Sequence, residues 1–376
     1  MEGKKIIIIG GGLAGLTCAI HLRKSGFAVR LLEKTEYPQH KVCGEYISNE
    51  VLPYLKWLDA DPEVLHPTSI SKLTFSSPTG KEINCNLPLG GFGISRYTLD
   101  HFLFRKALEI GCIISIDAVT SVKYADNEFS VQTSQNGSLK ADLVIAAYGK
   151  RSILDQKLKR NFISKKSPWL AVKGHYRGHF PEDLVGLHNF KGGYCGVSKV
   201  EEGRINICYL TDYKSFKTFK DINEFQQKVL CKNPHLKQIF ENCKPLFEQP
   251  LTISQVSFEN KEPVCDHILM IGDTAGLIHP LCGNGMAMAM DSARICAILI
   301  EKYLNTDIIS RSELERLYTK HWNHHFRSRL RMGRILSYIF RKEKLFKPLL
   351  NLLVKFPSLL PIIIKRTHGE PITECL

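Results

Sequence analysis

The chain has 376 residues, 44% of them hydrophobic and 23% charged, which excludes a disordered or fibrous chain and exceeds the length of a usual single domain. Two closely associated domains, or one large α/β domain with an insertion, are therefore expected. The formal net charge of +14 invites a nucleic-acid reading, but from Arg311 onward 14 Lys/Arg face 5 Asp/Glu, beside the most apolar tail; an anionic lipid surface is the better match, and no nucleic acid is expected.

Lys4 to Ile9 reads as a buried parallel strand, a β-branched run without alternation, and Leu13 to Lys24 follows with helical spacing of Leu13, Leu16, Ile20 and His21. Three glycines interrupt the apolar block, and Arg23 and Lys24 continue the helical register, so no secretion signal is expected. Ala28 to Glu33 is a second strand, which completes a βαβ unit. A loop, EKTEYPQHKVCGEYIS, leads to a helix from Asn49 to Leu58. KLTFSS, PTGK and EINCNL make a hairpin with a Pro/Gly turn. Tyr97 to Ile110 is an amphipathic helix that Gly111 ends; Asn136 and Gly137 mark another hairpin, and DLVIAAYG runs as a buried strand into Gly149.

From Trp169 to Phe258 the pattern changes to alternating strands (LAVKGHYRG, GYCGVSKV, RINICYL) with a helical interlude near Asp221 to Phe240. HILMIGD, residues 267–273, returns to a buried strand, and a helix follows from Gly285 to Leu304. The expected architecture is a Rossmann-like α/β domain over 1–165, with a hairpin insertion near 70–95, an inserted antiparallel-sheet substrate domain over 166–258, a return segment over 259–305, and a basic helical region over 306–376. No stretch of about 18 uninterrupted apolar residues occurs, so no transmembrane helix is expected. The twelve cysteines contain no CxxC pair, which fits reduced thiols rather than a zinc site or a disulfide framework. No His/Asp/Glu grouping has metal-ligand spacing, and no metal is expected.

Gly10, Gly12 and Gly15 form G-x-G-x-x-G between strand and helix, and Glu33 closes the next strand. Gly10 makes the tight turn, Gly12 lets the backbone approach a pyrophosphate, and Gly15 lets helix and strand pack closely. Ala14, beside them, and Lys34, after Glu33, join the cofactor-binding candidates. The helix N-terminus offers unpaired N–H groups to the phosphates. Glu33 would accept hydrogen bonds from the adenosine ribose and disfavours a 2′-phosphate there, so the first site calls for FAD or NAD.

ILMIGDTAGLIHPLCGNGMAMAMDSA, residues 268–293, resembles the flavin-binding GD motif of the FAD-dependent monooxygenase (p-hydroxybenzoate hydroxylase-like) and geranylgeranyl reductase superfamily, a resemblance that covers most of residues 1–305. It implies that Asp273 hydrogen-bonds the ribityl chain of FAD, that Pro280 lies beside the isoalloxazine, and that the turn through Gly283, Gly285 and Met286 opens a helix aimed at the flavin. Such a helix N-terminus would stabilise the negative charge of reduced flavin. Arg96, in ISRYTLDHFL, matches the family's FAD-contacting arginine. KVCGEYIS, with Lys41, Cys43 and Gly44, looks like the flavin-facing loop of geranylgeranyl reductases. Cys43, Glu45 and Tyr46 are then the catalytic candidates, Cys43 or Tyr46 as a proton source and Glu45 as an orienting group.

Three departures qualify the resemblance. Tyr148 stands where many hydroxylases carry the aspartate of an Asp-Gly pair, which leaves Gly149 as a cofactor contact but puts direct NAD(P)H use in doubt. The aromatic Y-x-W-x-F-P signature of the reductases is replaced by GYCGVSK at 193–199, so the archaeal core lipid itself is not the expected substrate. The W-x-W-x-I-P motif of flavin halogenases is missing, and halogenation is not expected. His279 has two readings, a flavin or substrate contact and a packed side chain, whereas His324 and His325 are expected to face solvent.

FKPLLNLLVKFPSLLPIIIKR, residues 346–366, is apolar but broken by Lys347, Lys355 and three prolines; it either lies in a membrane interface or caps a lipophilic channel. The expected activity is an FAD-dependent oxidoreduction of a bulky hydrophobic substrate, polyketide-like, aromatic or isoprenoid, by hydroxylation or double-bond reduction. Electrons would come from NAD(P)H or a protein donor. A flavin-bound electron carrier docking a protein partner is the alternative. The expected location is cytoplasmic, with a peripheral position on the inner membrane face left open.

Overall fold

Four β-branched side chains in a row cannot alternate between core and solvent, and the strand Ile6–Ile9 is buried on both faces. It lies at the middle of a six-stranded sheet in the order Val264–Cys265, Ile268–Met270, Leu143–Ala146, Ile6–Ile9, Val29–Glu33, Ile113–Ile116, parallel except at the first pair. The computed structural model describes residues 4–306, 309–356 and 358–373, and its described strands form this sheet and two others.

Helix Leu13–Lys24 is buried all round from Leu13 to Leu22, because the sheet covers one side and helix Gly285–Asn305 the other. Its one buried imidazole, His21, is satisfied by the Tyr54 hydroxyl at 2.8 Å and the Glu301 carboxylate at 2.9 Å. Helix Arg96–Glu109 starts at Ser95, whose hydroxyl accepts from the Thr98 N–H, and stops at Gly111, whose φ of +84° other residues rarely adopt. A three-stranded meander, Val119–Ala125, Glu128–Thr133 and Ser138–Ala141, carries the Asn136–Gly137 turn.

The second large sheet is mostly antiparallel and gathers Lys244–Pro245, Trp169–Arg177, Ile205–Asp212, Gly193–Lys199, Leu184–Phe190, Thr68–Ser76, Glu82–Gly93 and Tyr46–Ser48, with Leu251–Ser254 pairing Trp169–Arg177. The hairpin expected as an insertion in the nucleotide domain thus belongs to this sheet: Thr68–Ser76 pairs in parallel with Leu184–Phe190, Lys72 opposite Leu184. Leu184–Phe190 is itself a strand that the alternation pattern did not single out.

The basic helix Arg311–Arg341 docks on the nucleotide domain through Leu314, Tyr318, Trp322, Phe326 and Leu330, a stripe at the helical repeat. Beyond it, helices Glu343–Lys355 and Leu359–Lys365 fold back, and Phe346, Leu350, Leu353, Leu360 and Ile364 pack against the second sheet with Leu73, Phe75, Val185 and Tyr194.

Candidate functional site

The glycine turn is tight for steric reasons that differ along it. A Cβ on Gly10 would fall 2.5 Å from the Ala147 carbonyl oxygen, and one on Gly15 would fall 1.9 Å from the Gly10 carbonyl oxygen. Neither position tolerates a side chain. A Cβ on Gly12, by contrast, would meet nothing closer than the Arg96 guanidinium at 3.6 Å. Space is therefore kept open on the side where the helix Leu13–Lys24 begins, and that helix has no side-chain cap and no acidic residue in its first turn.

Glu33 closes its strand with the carboxylate over this turn, accepting from the Gly11 N–H at 2.6 Å and the Thr35 hydroxyl at 2.9 Å. Arg96 reaches the same place from the start of helix Arg96–Glu109, held in a fork by Asp100 at 2.6 and 2.8 Å, and Lys41 joins that carboxylate at 2.8 Å. Burial disfavours the Asp100 charge, yet the two cations hold its carboxyl below the ordinary range. The trio leaves surplus positive charge beside Gly12.

A cavity of about 680 Å³ runs on from this turn. Gly10, Gly12, Ala14, Glu33, Lys34, Lys41 and Arg96 line one end; Cys43, Gly44, Tyr46, Gly149 and Asp273 follow; Pro280, Gly283, Gly285 and Met286 border its middle. The structure therefore brings the expected cofactor-binding residues around one space, except Gly15, which does not line it and packs against the Gly10 carbonyl instead. The far end is apolar, formed by Leu73, Phe75, Val185, Leu187, Leu353 and Leu360.

Cys43 and Tyr46 line this space: the Cys43 sulfur lies 3.5 Å from that of Met286, and the Tyr46 hydroxyl donates to the Gly90 carbonyl at 3.3 Å. Burial, followed by the Glu50 charge, raises the Tyr46 phenol above its usual range. Glu45 requires a correction. It lies behind the cavity wall, fully buried with φ +53°, accepting from Lys173 Nζ, from His175 Nε2 at 2.6 Å and from the Arg96 N–H at 2.7 Å. It does not line the cavity, so its part is to hold the loop and not to touch a substrate. Burial alone would raise its carboxyl, but His175 and Lys173 hold it below the ordinary range.

Side chains from the second sheet complete the loop's anchorage. Asn206 donates to the carbonyls of Cys43 and Gly44 at 3.2 and 2.8 Å, and stands opposite His175 in the strand pairing. His40 also lines the cavity and stays neutral: burial first, then Lys173 and His175, lower its imidazole to about 4. Lys261 ties the two motif loops together, donating to the carbonyls of Lys150 and Asp273 at 2.9 and 2.8 Å, and burial pulls its ammonium down to about 8. Lys173, His175, Asn206 and Lys261 had no sequence signal beyond sitting in strands or loops. His279 resolves as a packed side chain, buried among Trp169, Tyr194 and Phe258. His324 is exposed, whereas His325 is only half-buried and lies 3.6 Å from Asp291. Tyr148 turns its hydroxyl to Asp155 at 2.9 Å. Among the described residues no group of three or more His, Cys, Asp or Glu is placed to hold a metal.

Residues 8–45 match the family model described as NAD(P)-binding Rossmann-like domain. Digeranylgeranylglycerophospholipid reductase 2 of Methanopyrus kandleri is 24% identical over 366 residues, spanning 92% of this chain and 87% of that protein. Among solved structures, the flavin-dependent brominase Bmp2 superposes with a TM-score of 0.79 at 17% identity, covering 97% of this chain and 93% of that one. Halogenase PltM, in complex with phloroglucinol and FAD, gives 0.75 at 18% identity and covers 96% and 82%. The open face of Gly12, the uncapped helix, the Glu33 carboxylate and the run of lining residues to Met286 all suit FAD laid along the cavity. Its adenosine end would lie at Glu33 and its redox end at the Gly283–Met286 turn.

Proposed function

We propose that the chain is an FAD-dependent oxidoreductase that reduces a carbon–carbon double bond in a long, apolar substrate held in the chamber beyond the Gly283–Met286 turn. One observation carries this reading: the cofactor cleft opens directly into a chamber walled by Leu73, Phe75, Val185, Leu187, Leu353 and Leu360, a place for hydrocarbon rather than for a charged metabolite. Bound FAD supplies a centre that takes up two electrons and gives them as hydride.

The chain's own residues supply the rest. Arg96 and the helix N-terminus at Gly12 would hold the pyrophosphate of FAD, and Glu33 would hold its ribose. The N-terminus of helix Gly285–Asn305 favours negative charge at the redox end. Reduction of an alkene adds one hydride and one proton, and the proton-bearing groups in the wall beside the turn are the Cys43 thiol and the Tyr46 phenol. The apolar wall excludes water. Similarity to a digeranylgeranylglycerophospholipid reductase supports the substrate class, and an apolar chamber next to the cofactor cleft has no use in a pure electron carrier.

Anaerobic turnover tests this. Chemically reduced holoprotein mixed with a polyprenyl lipid should reoxidise with a product two mass units heavier per event, as a hydride and a proton require, and Cys43→Ala should slow that step at unchanged FAD content. Reoxidation by dioxygen alone, with labelled oxygen entering the substrate, would replace reduction by hydroxylation. No reaction with any apolar substrate under either condition would contradict both.

A further inference from the structure

The two helices that roof the chamber, Glu343–Lys355 and Leu359–Lys365, carry apolar side chains on both sides. Phe346, Leu350, Leu353, Leu360 and Ile364 are buried, while Leu345, Leu352, Phe356 and Ile362 are among the most exposed large apolar residues of the chain. On the helical repeat, Leu345 and Leu352 share one stripe. The buried residues lie about a quarter turn to one side of it, and Lys344 and Lys355 about a quarter turn to the other. Lys365 and Arg366, both exposed, close the second helix. Across residues 342–366 the sequence holds six Lys/Arg and one Glu.

We propose that this roof docks on an anionic phospholipid bilayer, seating Leu352, Phe356 and Ile362 among acyl chains with the lysines at the headgroups, so that an apolar substrate passes from the bilayer into the chamber without crossing water. A protein partner explains the exposed leucines but not Lys344 and Lys355 beside them, a pairing of apolar stripe and basic flank found in interfacial helices. Spanning is not required: among the described residues no single helix is long and apolar enough to cross a membrane, and the two roof helices are bent by 115°. The same two helices present Leu353, Leu360 and Ile363 to the chamber, so the docking face and the substrate space are separated by one layer of helix. The inference deepens the apolar-substrate reading but is tested apart from it, since vesicle binding needs no turnover.

Full-length, FAD-loaded protein is floated with vesicles of pure phosphatidylcholine and of equal parts phosphatidylcholine and phosphatidylglycerol. The protein should float with the anionic vesicles, and the Leu352→Asp/Ile362→Asp variant, neither of whose positions lines the chamber, should partition about tenfold less or worse while keeping its FAD. Lys355→Glu/Lys365→Glu and raised salt should weaken flotation as well. Failure to float, or equal flotation of the variants, would overturn the proposal. So would a stable dimer in solution that the Leu352/Ile362 variant dissolves, because a second copy would then be what covers the face.

Discussion

Gly12 and Gly15 lie one helical turn apart, yet a methyl group added to each meets different surroundings. At Gly15 it would be driven into the Gly10 carbonyl, whereas at Gly12 it would make only an ordinary contact with the Arg96 guanidinium at 3.6 Å. Gly15→Ala should therefore cost stability, by about 1–3 kcal/mol or more as overpacking does. Gly12→Ala should leave the urea midpoint within about 0.5 kcal/mol of the parent and weaken FAD binding instead. Measuring both properties on both variants separates a packing glycine from a ligand-facing one. Both roles were legible from spacing. That of Glu45 was not, since nothing near it in sequence reveals that Lys173 and His175, from a distant strand, converge on its carboxylate. Glu45→Gln should lose about 3–5 kcal/mol by stranding Lys173 in the interior, and adding Lys173→Met should recover part of the loss. If the double variant is no more stable than the single one, the buried pair does not account for the loop's anchorage.

The elements of the nucleotide fold were legible because each is written locally: a β-branched run, a glycine turn, a helical repeat, a stop glycine. Helix Leu13–Lys24 begins and ends where periodicity placed it. The hairpin Thr68–Ser76/Glu82–Gly93 was legible as a hairpin but not as a member of the second sheet, since its parallel partner lies over a hundred residues away. That junction is fastened by His188, whose Nδ1 is 2.9 Å from the Ser76 hydroxyl, which Asn233 also engages at 2.9 Å. Burial, then the neighbouring His235, lowers the His188 imidazole from 6.5 to about 3. A depressed folded value means that the unfolded chain takes up the proton first. The junction's contribution is therefore complete above about pH 6.5 and is lost as pH falls towards 3. Denaturation between pH 7 and pH 4 should show that loss, and His188→Gln should flatten it by about one proton's worth of slope; an unchanged slope would show that His188 does not carry it.

At the scale of the molecule, two sheets and a helical roof meet around one cavity, and the cofactor end and the apolar end are built from segments remote in sequence. The glycine turn, Glu33, Arg96 and the Asp273 loop could be assigned to one ligand from motifs alone. Of the apolar wall only the C-terminal cap was among the readings of the sequence; the side chains from the hairpin and from Leu184–Phe190 bear no chemical motif. The central claim is that a single FAD spans Glu33 to Met286. It is tested most directly by titrating the flavin-free protein with FAD and reading the visible spectrum of the complex. One equivalent should bind with a perturbed flavin spectrum; a protein that stays colourless and takes up no FAD would contradict the account.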